Sequence, residues 1–207
     1  MLKIIDGEDI MNHINEYDAI IISSNIYCTL QQDGVQRDIA LNYPYVREMN
    51  FSTKYADINK LGTILECKID NEPLIILAYI YKGFHNTKKK GERAVSEFLS
   101  YESLESCLKK INIIYKGKNI ACPLLGCTPY DGNGNKDKVI EIISNCLCDV
   151  NITIYDYKQK TRSEKMKEVY EYEKSIKKID YELYRKLVSE RKKKADERFK
   201  RNGFARY

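Results

Sequence analysis

The sequence lacks the features that mark membrane-spanning, secreted and metal-centred proteins. No apolar run approaches the roughly 20 residues that a membrane-spanning helix needs, so we expect no membrane association. Five acidic side chains within the first twenty residues argue against a secretory signal peptide. The seven cysteines form no CxxC pair and no Cys/His spacing typical of a metal site. Their odd number, and the position of several inside strand-like runs, predict reduced core thiols in a cytoplasmic protein without a metal or a cofactor.

Two frequent phosphate-binding motifs are absent as well. The chain contains no GxxxxGK[ST] loop, and no GxGxxG motif follows a predicted strand. It does contain two glycine-bearing loops that each join a strand to a helix, one at Ser23–Val35 and one within the stretch Asn119–Val139. Ligands of α/β proteins bind outside the carboxyl ends of the strands, and a helix N-terminus attracts anions, so both loops are candidate phosphate sites. The alternative is that both are ordinary strand-to-helix turns.

Charge divides the chain into two parts. Lys158–Tyr207 holds 18 Lys+Arg against 9 Asp+Glu, whereas the first 157 residues hold 17 against 21. All four prolines and nine of the ten glycines lie in the acidic part. This change predicts a turn-rich domain over 1–157 and a basic helical extension over 158–207.

Within the first part, strand-like and helical patterns alternate. Strands are predicted at Leu2–Ile5, Ala19–Ser23, Gly62–Ile69, Pro73–Tyr81, Asn119–Leu125 and Asn151–Tyr155; helices are predicted at Ile10–Asn15, Val35–Leu41, Ser100–Ile111 and Val139–Cys146. Asp9 is a plausible N-cap of the first helix, and Pro44 is expected to end the second. A turn at Asp70–Glu72 makes the third and fourth strands a hairpin. The pattern predicts an α/β fold with a mixed central sheet between two helical layers.

The basic extension carries an apolar stripe at helical spacing over 162–191. Its members are Val169, Tyr172, Ile176, Ile179, Leu183 and Leu187. We expect this stripe to pack on the domain or on a second copy in a homodimer; the alternative is a solvated helix. The basic residues beyond it predict either a contact with nucleic acid or another polyanion, or a solvating tail.

The first part resembles a macrodomain, the ADP-ribose-binding fold. Four landmarks carry the resemblance between Leu2 and Tyr157. They are Gly7-Glu8-Asp9-Ile10; Ala19-Ile-Ile-Ile-Ser-Ser-Asn25; Asp33-Gly34-Val35; and Pro123-Leu-Leu-Gly126-Cys127 followed by the last helix and strand. Their order and spacing together are fairly specific. The resemblance implies a three-layer α/β/α domain whose partner is ADP-ribose or an ADP-ribosylated protein.

The resemblance also implies roles at the two ends of the ligand. Asp9 would accept a hydrogen bond from the adenine amino group beside the Ile10 N–H; its other role is that of an N-cap. Asn25 would hold the distal ribose, unless it only forms a strand-end turn. Tyr157 or Tyr155 could stack on adenine, although a core or rim tyrosine is an equal alternative.

The diphosphate would lie between the two loops. Backbone amides of Gly34 and Val35 would face those of Gly126 and Cys127. Two departures from the family pattern concern these loops. Thr128 and Pro129 replace a glycine and remove an N–H donor, and Asp33 brings a negative charge beside the proposed phosphates. The pocket is therefore expected to be reshaped, or its ligand to differ from plain ADP-ribose.

One subgroup is more similar than the rest, the lysine-dependent terminal ADP-ribose–protein glycohydrolases. Its pattern corresponds to Lys82 at the end of a central strand and Asp131 in the last loop, one place later than usual. Lys82 would be the nucleophile and Asp131 the acid–base or orienting partner; a solvated strand-end lysine and a turn aspartate are the alternatives. His85 is a second candidate base, and His13 is expected at the surface. Two rival functions stay open, phosphatase action on ADP-ribose 1''-phosphate and non-catalytic binding.

Overall fold

The computed structural model describes residues 1–30, 34–82, 99–127 and 133–157, and single residues of a second unit that begins at Lys160. In that second unit the described residues lie in helix, and Tyr170 and Tyr172 are 61% and 62% exposed. Apart from Tyr172, the predicted apolar stripe lies outside the described residues. The homodimer, the packing on the domain and the polyanion contact therefore stay predictions. Within the described part, no helix is long and apolar enough to cross a bilayer.

Six strands form one sheet, and five of them run in the same direction. The strands are β1 (Leu2–Asp6), β2 (Ala19–Asn25), β3 (Ile64–Cys67), β4 (Ile75–Tyr81), β5 (Asn119–Pro123) and β6 (Asn151–Asp156). Their order is β1-β6-β5-β2-β4-β3, and β3 alone is antiparallel to its neighbour. The predicted hairpin and mixed sheet are therefore confirmed.

Each face of the sheet is covered by helices. The helices are α1 (Val35–Asn42), α2 (Pro44–Ser52), α3 (Tyr101–Ile114) and α4 (Lys136–Cys146). β2 and β4 are buried along their whole length, which explains their near-continuous apolar runs. Side chains alternate between faces: Ile21 packs in the core with α3 and α4, and Ile20 packs in the core with α1 and α2.

Three helical predictions differ from the structure. Instead of one helix over Ile10–Asn15, two 3₁₀ turns are present at Ile10–Asn12 and Ile14–Glu16, because the segment's asparagines, histidine and isoleucines are weak helix formers. Pro44 starts α2 rather than merely ending α1, since a proline at the first helical position loses no hydrogen bond. α4 begins at Lys136, three residues earlier than predicted, because the Asn135 side chain accepts a hydrogen bond from the Lys138 N–H.

All seven cysteines are free thiols, and five of them are buried. Cys122 is completely buried between neighbouring strands, and burial raises the pKa of the Cys67 and Cys107 thiols to about 12. These thiols therefore act as small core side chains, as the sequence predicted.

Candidate functional site

The candidate site residues lie along one edge of the sheet. Five strands are parallel, so their carboxyl ends meet at this edge, which we call the carboxyl edge. The residues at or just beyond these ends are, across the sheet, Gly7–Ile10 after β1, Tyr157 after β6, Gly126–Cys127 after β5, Asn25 at the end of β2 and Lys82 after β4. Gly34 and Val35 end the loop that begins at Asn25. The described strand-end members of the predicted set are thus brought to one edge by five separate chain segments, whereas Asp131 lies outside the described residues.

Backbone N–H groups in and after the turn that follows β1 fix the position of Asp9. Gly7 adopts a φ of 80° and donates its N–H to Asp156 O at 3.2 Å, which ties the turn to β6. Asp9 Oδ1 then accepts the Met11 N–H at 3.0 Å, and Ile10 is buried beneath it. Asp9 is therefore an N-cap in the structure, as one of its two predicted roles required. Any hydrogen bond from an adenine amino group has to be accepted alongside this cap.

A cluster around His13 stands beside that turn, and the sequence did not point to it. His13 Nε2 lies 3.0 Å from Glu8 and Nδ1 lies 2.8 Å from Glu16. The hydrogen bond and the charge of Glu16, and then the charge of Glu8, raise the pKa of His13 against a smaller opposing effect of burial. Its ring stacks on Tyr155 with 5.6 Å between the ring centres. His13 is thus half-buried and paired rather than a free surface side chain.

Tyr155, one of the two tyrosines predicted to stack on adenine, is buried and already stacks on His13. Besides the stacking with His13, its hydroxyl lies 2.8 Å from the Tyr17 hydroxyl, and the residue is 2% exposed. Burial raises the pKa of Tyr155, so the phenol stays protonated as a core hydrogen-bonding group. Tyr157, which follows β6 and is half-buried, keeps its prediction as an adenine-stacking residue.

Asn25 closes the loop that follows β2. Its Nδ2 donates to Thr29 O and to Thr29 Oγ1, both at 2.9 Å, and its Oδ1 accepts the Tyr27 N–H at 2.9 Å. The side chain is 1% exposed. The Asn25 amide therefore fixes the turn from Asn25 to Thr29 through hydrogen bonds. A contact between this amide and a distal ribose, as predicted, would have to replace one of these hydrogen bonds.

A buried polar network supports the ends of β2 and β4. Gln36 of α1 donates from Nε2 to Ser23 Oγ and to Tyr81 Oη, both at 3.0 Å, and is 4% exposed. Sequence reasoning missed this residue because its helical position says nothing about which strands it meets. The network fixes the residues that precede Asn25 and Lys82.

Lys60 contacts the loop that follows β2. Its ammonium donates to Thr53 Oγ1 at 2.7 Å and lies 3.1 Å from Cys28 Sγ and 4.4 Å from the centre of the Tyr79 ring. Cys28 has a φ of 58°, an uncommon value for a residue with a side chain. The lysine thus fastens the loop after β2 to the segment that follows α2.

The loop then enters α1 through Gly34, whose φ of 83° and ψ of −168° suit glycine alone. No described atom lies within 4 Å of the position that a Cβ would occupy there. Val35, the first residue of α1, is half-buried. The backbone at this entry can therefore approach a ligand closely.

The loop after β5 is closed at its base. Gly126 has a φ of 68°, and the Gly134 N–H donates to its carbonyl at 2.8 Å. A Cβ on Gly134 would lie 2.4 Å from Leu99 Cδ2 and 3.1 Å from the Gly126 carbonyl oxygen, so the Leu99 side chain would have to shift to admit a larger residue. Cys127 is half-buried beside Gly126, at the start of the closed loop.

Lys82 stands one residue beyond the buried end of β4. Asn25 is paired with Tyr81 after an irregularity in the β2–β4 register, so Asn25 and Lys82 come from neighbouring strand ends. The Lys82 side chain is exposed. Asp131, Asp33 and His85, together with Thr128 and Pro129, lie outside the described residues.

No group of three or more metal-ligating side chains occurs among the residues that the structure describes. The polar groups that the structure describes at the carboxyl edge include backbone amides, the lysines Lys82 and Lys136, the Asn25 amide and paired carboxylates such as Asp156. Such a set is suited to a phosphorylated, hydroxyl-rich ligand that is held by hydrogen bonds.

Comparison with known proteins identifies the fold. No family model matches the chain, and no curated protein matches its sequence. A protein from Bacteroides thetaiotaomicron is similar in structure with a TM-score of 0.57, 16% identity, 75% of this chain covered and 99% of the other. The macrodomain of Mycobacterium tuberculosis DarG gives a TM-score of 0.55, 14% identity and coverages of 76% and 99%. The macrodomain of Thermus aquaticus DarG gives a TM-score of 0.51 and 16% identity, with 77% of this chain and 99% of the other covered. The first part of the chain thus has the macrodomain fold.

Proposed function

We propose that the chain binds ADP-ribose, or the ADP-ribosyl group of a modified protein, along the carboxyl edge of its sheet. The observation that carries the proposal is the convergence of five strand ends on one edge, with Gly34 and Gly126 both in glycine-adapted conformations. Macrodomains among the solved structures with the same fold support this choice of ligand. A diphosphate needs several N–H donors at close range, and glycine backbones allow that approach.

The order of the strands gives the ligand a direction. Adenine would lie at the β1–β6 end, near Asp9 and Tyr157. The diphosphate would cross the loops after β5 and β2, near Gly126 and Gly34. The distal ribose would then reach the β2–β4 end, where Lys82 stands. The distances available across several strands, about 4.8 Å each, suit an extended dinucleotide-like ligand.

For the finer function, we propose hydrolysis of the ADP-ribosyl bond by Lys82 and Asp131. The neutral Lys82 amine would form a bond to the anomeric carbon while the bond to the acceptor oxygen breaks. Asp131 would give that oxygen a proton and then take one from the substituted amine. Water would then release ADP-ribose from the lysine adduct. This reaction requires a neutral amine, and burial or neighbouring cations are the usual means of obtaining one.

A second candidate is non-catalytic binding, and one observation favours it. The Lys82 side chain is exposed, so the described residues do not desolvate its amine. A nucleophilic lysine is usually desolvated in an apolar pocket, and the described residues form no such pocket around Lys82. A binding module would use the same lysine as a cation facing the phosphates or the distal ribose. The phosphatase alternative needs a histidine as its base. His13 is already paired with two carboxylates, so His85 is the histidine that we would assign to this role.

The test uses the full chain, Lys82→Ala and, as a matched control, Lys116→Ala. Lys116 is 75% exposed and lies before β5, at the opposite edge of the sheet. ADP-ribose binding is measured by calorimetry. Turnover is followed as release of ADP-ribose from a modified protein and of phosphate from ADP-ribose 1''-phosphate.

Turnover that is lost in Lys82→Ala, with binding and the Lys116→Ala control unchanged, supports the lysine mechanism. Binding without turnover in the unaltered chain supports the binding module. Phosphate release that survives in Lys82→Ala supports the phosphatase. Absence of ADP-ribose binding in the folded protein refutes the proposed ligand.

A further inference from the structure

A cavity of about 250 Å³ opens between α1, α2 and the loop after β2. It is lined by Thr29, Leu30, Arg37, Ala40, Arg47 and Phe51. Arg37 and Ala40 are three residues apart on α1, and Arg47 and Phe51 are four apart on α2, so each helix presents one face to the cavity. We call it the α1–α2 pocket.

The pocket combines an apolar lining with two guanidinium groups. Arg47 lies over the Phe51 ring, with 5.5 Å between its Cζ and the ring centre. Arg37 Nη1 is 3.9 Å from Asp38, the outer limit of an ion pair, and its side chain is 40% exposed. Phe51 itself is 55% exposed. Arginine and exposed aromatic side chains are the residue types enriched in protein–protein interfaces.

Size and charge together select the occupant. The cavity is smaller than the roughly 300–1,000 Å³ of pockets that hold whole small-molecule ligands. It has room for a single side chain, and the two guanidinium groups attract negative charge beside that side chain. An apolar residue flanked by aspartate or glutamate meets both conditions, because arginine pairs with a carboxylate in a bidentate manner.

The pocket is a direct neighbour of the loop that Asn25 closes. Thr29 lines the pocket, and its Oγ1 accepts a hydrogen bond from Asn25 Nδ2 at 2.9 Å. One residue therefore separates the pocket from the β2–β4 end of the carboxyl edge. The pocket is therefore adjacent to the end of the carboxyl edge where the proposed distal ribose would join its acceptor.

We propose that the α1–α2 pocket anchors an acidic segment of a protein partner, with one apolar side chain in the cavity and carboxylates on Arg37 and Arg47. Its further role, seating the polypeptide that carries the ADP-ribosyl group, rests on the function proposed above. The occupant is thus a peptide segment, and nucleic acid is the alternative that the test has to separate.

The test measures fluorescence anisotropy with three labelled probes and the full chain. The probes are a short peptide with a central leucine between glutamates, the same peptide with lysines in place of the glutamates, and an oligothymidylate. The variants are Arg37→Ala/Arg47→Ala and the control Lys109→Ala/Lys116→Ala, which removes the same charge from exposed sites on and just after α3. The basic extension is present in all of them, so differences report the pocket.

We expect the acidic peptide to bind roughly tenfold more weakly to the arginine variant than to the control, because two charge-assisted contacts are lost. The single variant Arg47→Glu should shift the preference toward the lysine peptide. Equal binding of the acidic peptide to the arginine variant and the control, or no binding at all, overturns the proposal. An oligothymidylate that binds in an arginine-dependent manner while the acidic peptide does not overturns it as well.

Calorimetry with ADP-ribose on the same arginine variant separates this proposal from the previous one. Arg37 and Arg47 lie outside the carboxyl edge, so ADP-ribose affinity should match that of the control. Failure of the peptide experiment with retained ADP-ribose binding refutes the pocket alone. Failure of ADP-ribose binding with arginine-dependent peptide binding refutes the proposed ligand and leaves the pocket supported.

Discussion

Gln36→Leu is the sharpest test of how α1 supports the candidate site. The amide is 4% exposed and donates to Ser23 Oγ and Tyr81 Oη, both at 3.0 Å. Leucine has a similar volume but no donor, so the change removes both bonds without opening a large cavity. Both hydroxyls then lose a buried donor at the ends of β2 and β4.

The size of the effect follows from these two bonds. A neutral hydrogen bond contributes about 0.5–1.5 kcal/mol net, and two of them give about 1–3 kcal/mol of lost unfolding free energy. For a chain of this length, each kcal/mol lowers Tm by roughly 2–4 °C. A loss of about 2 kcal/mol therefore predicts a Tm lower by roughly 4–8 °C, measured by differential scanning calorimetry or by circular dichroism.

The control is Asn42→Leu, the same amide-to-leucine change at an exposed position near the end of the same helix. It should stay within about 0.5 kcal/mol of the unaltered protein. If Gln36→Leu is as stable as Asn42→Leu, the buried network contributes nothing to stability. The reasoning that makes Gln36 a support of the carboxyl edge would then be wrong.

Three further changes probe other supports of the site. Gly34→Ala should lower the unfolding free energy in urea by about 1–3 kcal/mol, because its φ of 83° and ψ of −168° suit glycine alone; an unchanged midpoint would contradict this. The Tm difference between the unaltered protein and His13→Gln should be full below the usual pKa of 6.5 and disappear as pH rises through the pKa that Glu16 raises; a difference that grows with pH would refute the pairing. Lys60→Met should cost about 1–3 kcal/mol in a thermal melt because Thr53 loses its 2.7 Å donor, and equal stability would show that the lysine holds nothing.

The framework of the fold could be read from local pattern. β2 and β4 are near-continuous apolar runs, and a strand buried on both faces has that composition whatever its neighbours are. The hairpin followed from the turn at Asp70–Glu72, where Asn71 adopts a φ of 63° that asparagine tolerates. The edge at which the described candidate residues lie then followed from the direction of the strands.

The polar supports of the site could not be read in this way. Gln36 and His13 are ordinary polar residues in the sequence, and their partners are set by how distant elements pack. Gln36 reaches Tyr81, 45 residues away, and His13 stacks on Tyr155. Secondary structure is predicted from apolar residues that recur at a regular spacing along a segment. A single polar residue that meets a distant partner adds nothing to such a pattern, so the sequence gives no sign of the contact. Prediction therefore failed at single polar residues, the buried Gln36 and the half-buried His13, while it succeeded for whole strands.

The bonds of Asn25 limit how a ligand can use it. Its amide already has donors and acceptors at 2.9 Å inside the loop, so a ribose hydroxyl would exchange one good hydrogen bond for another. Such an exchange contributes little binding free energy, and it removes a hydrogen bond that keeps the turn ordered. Fixing the loop in advance, in contrast, lowers the entropy that binding would otherwise have to spend on ordering it. The direct ribose contact stays a prediction, and the bonds that the structure shows for Asn25 are those that fix the turn from Asn25 to Thr29.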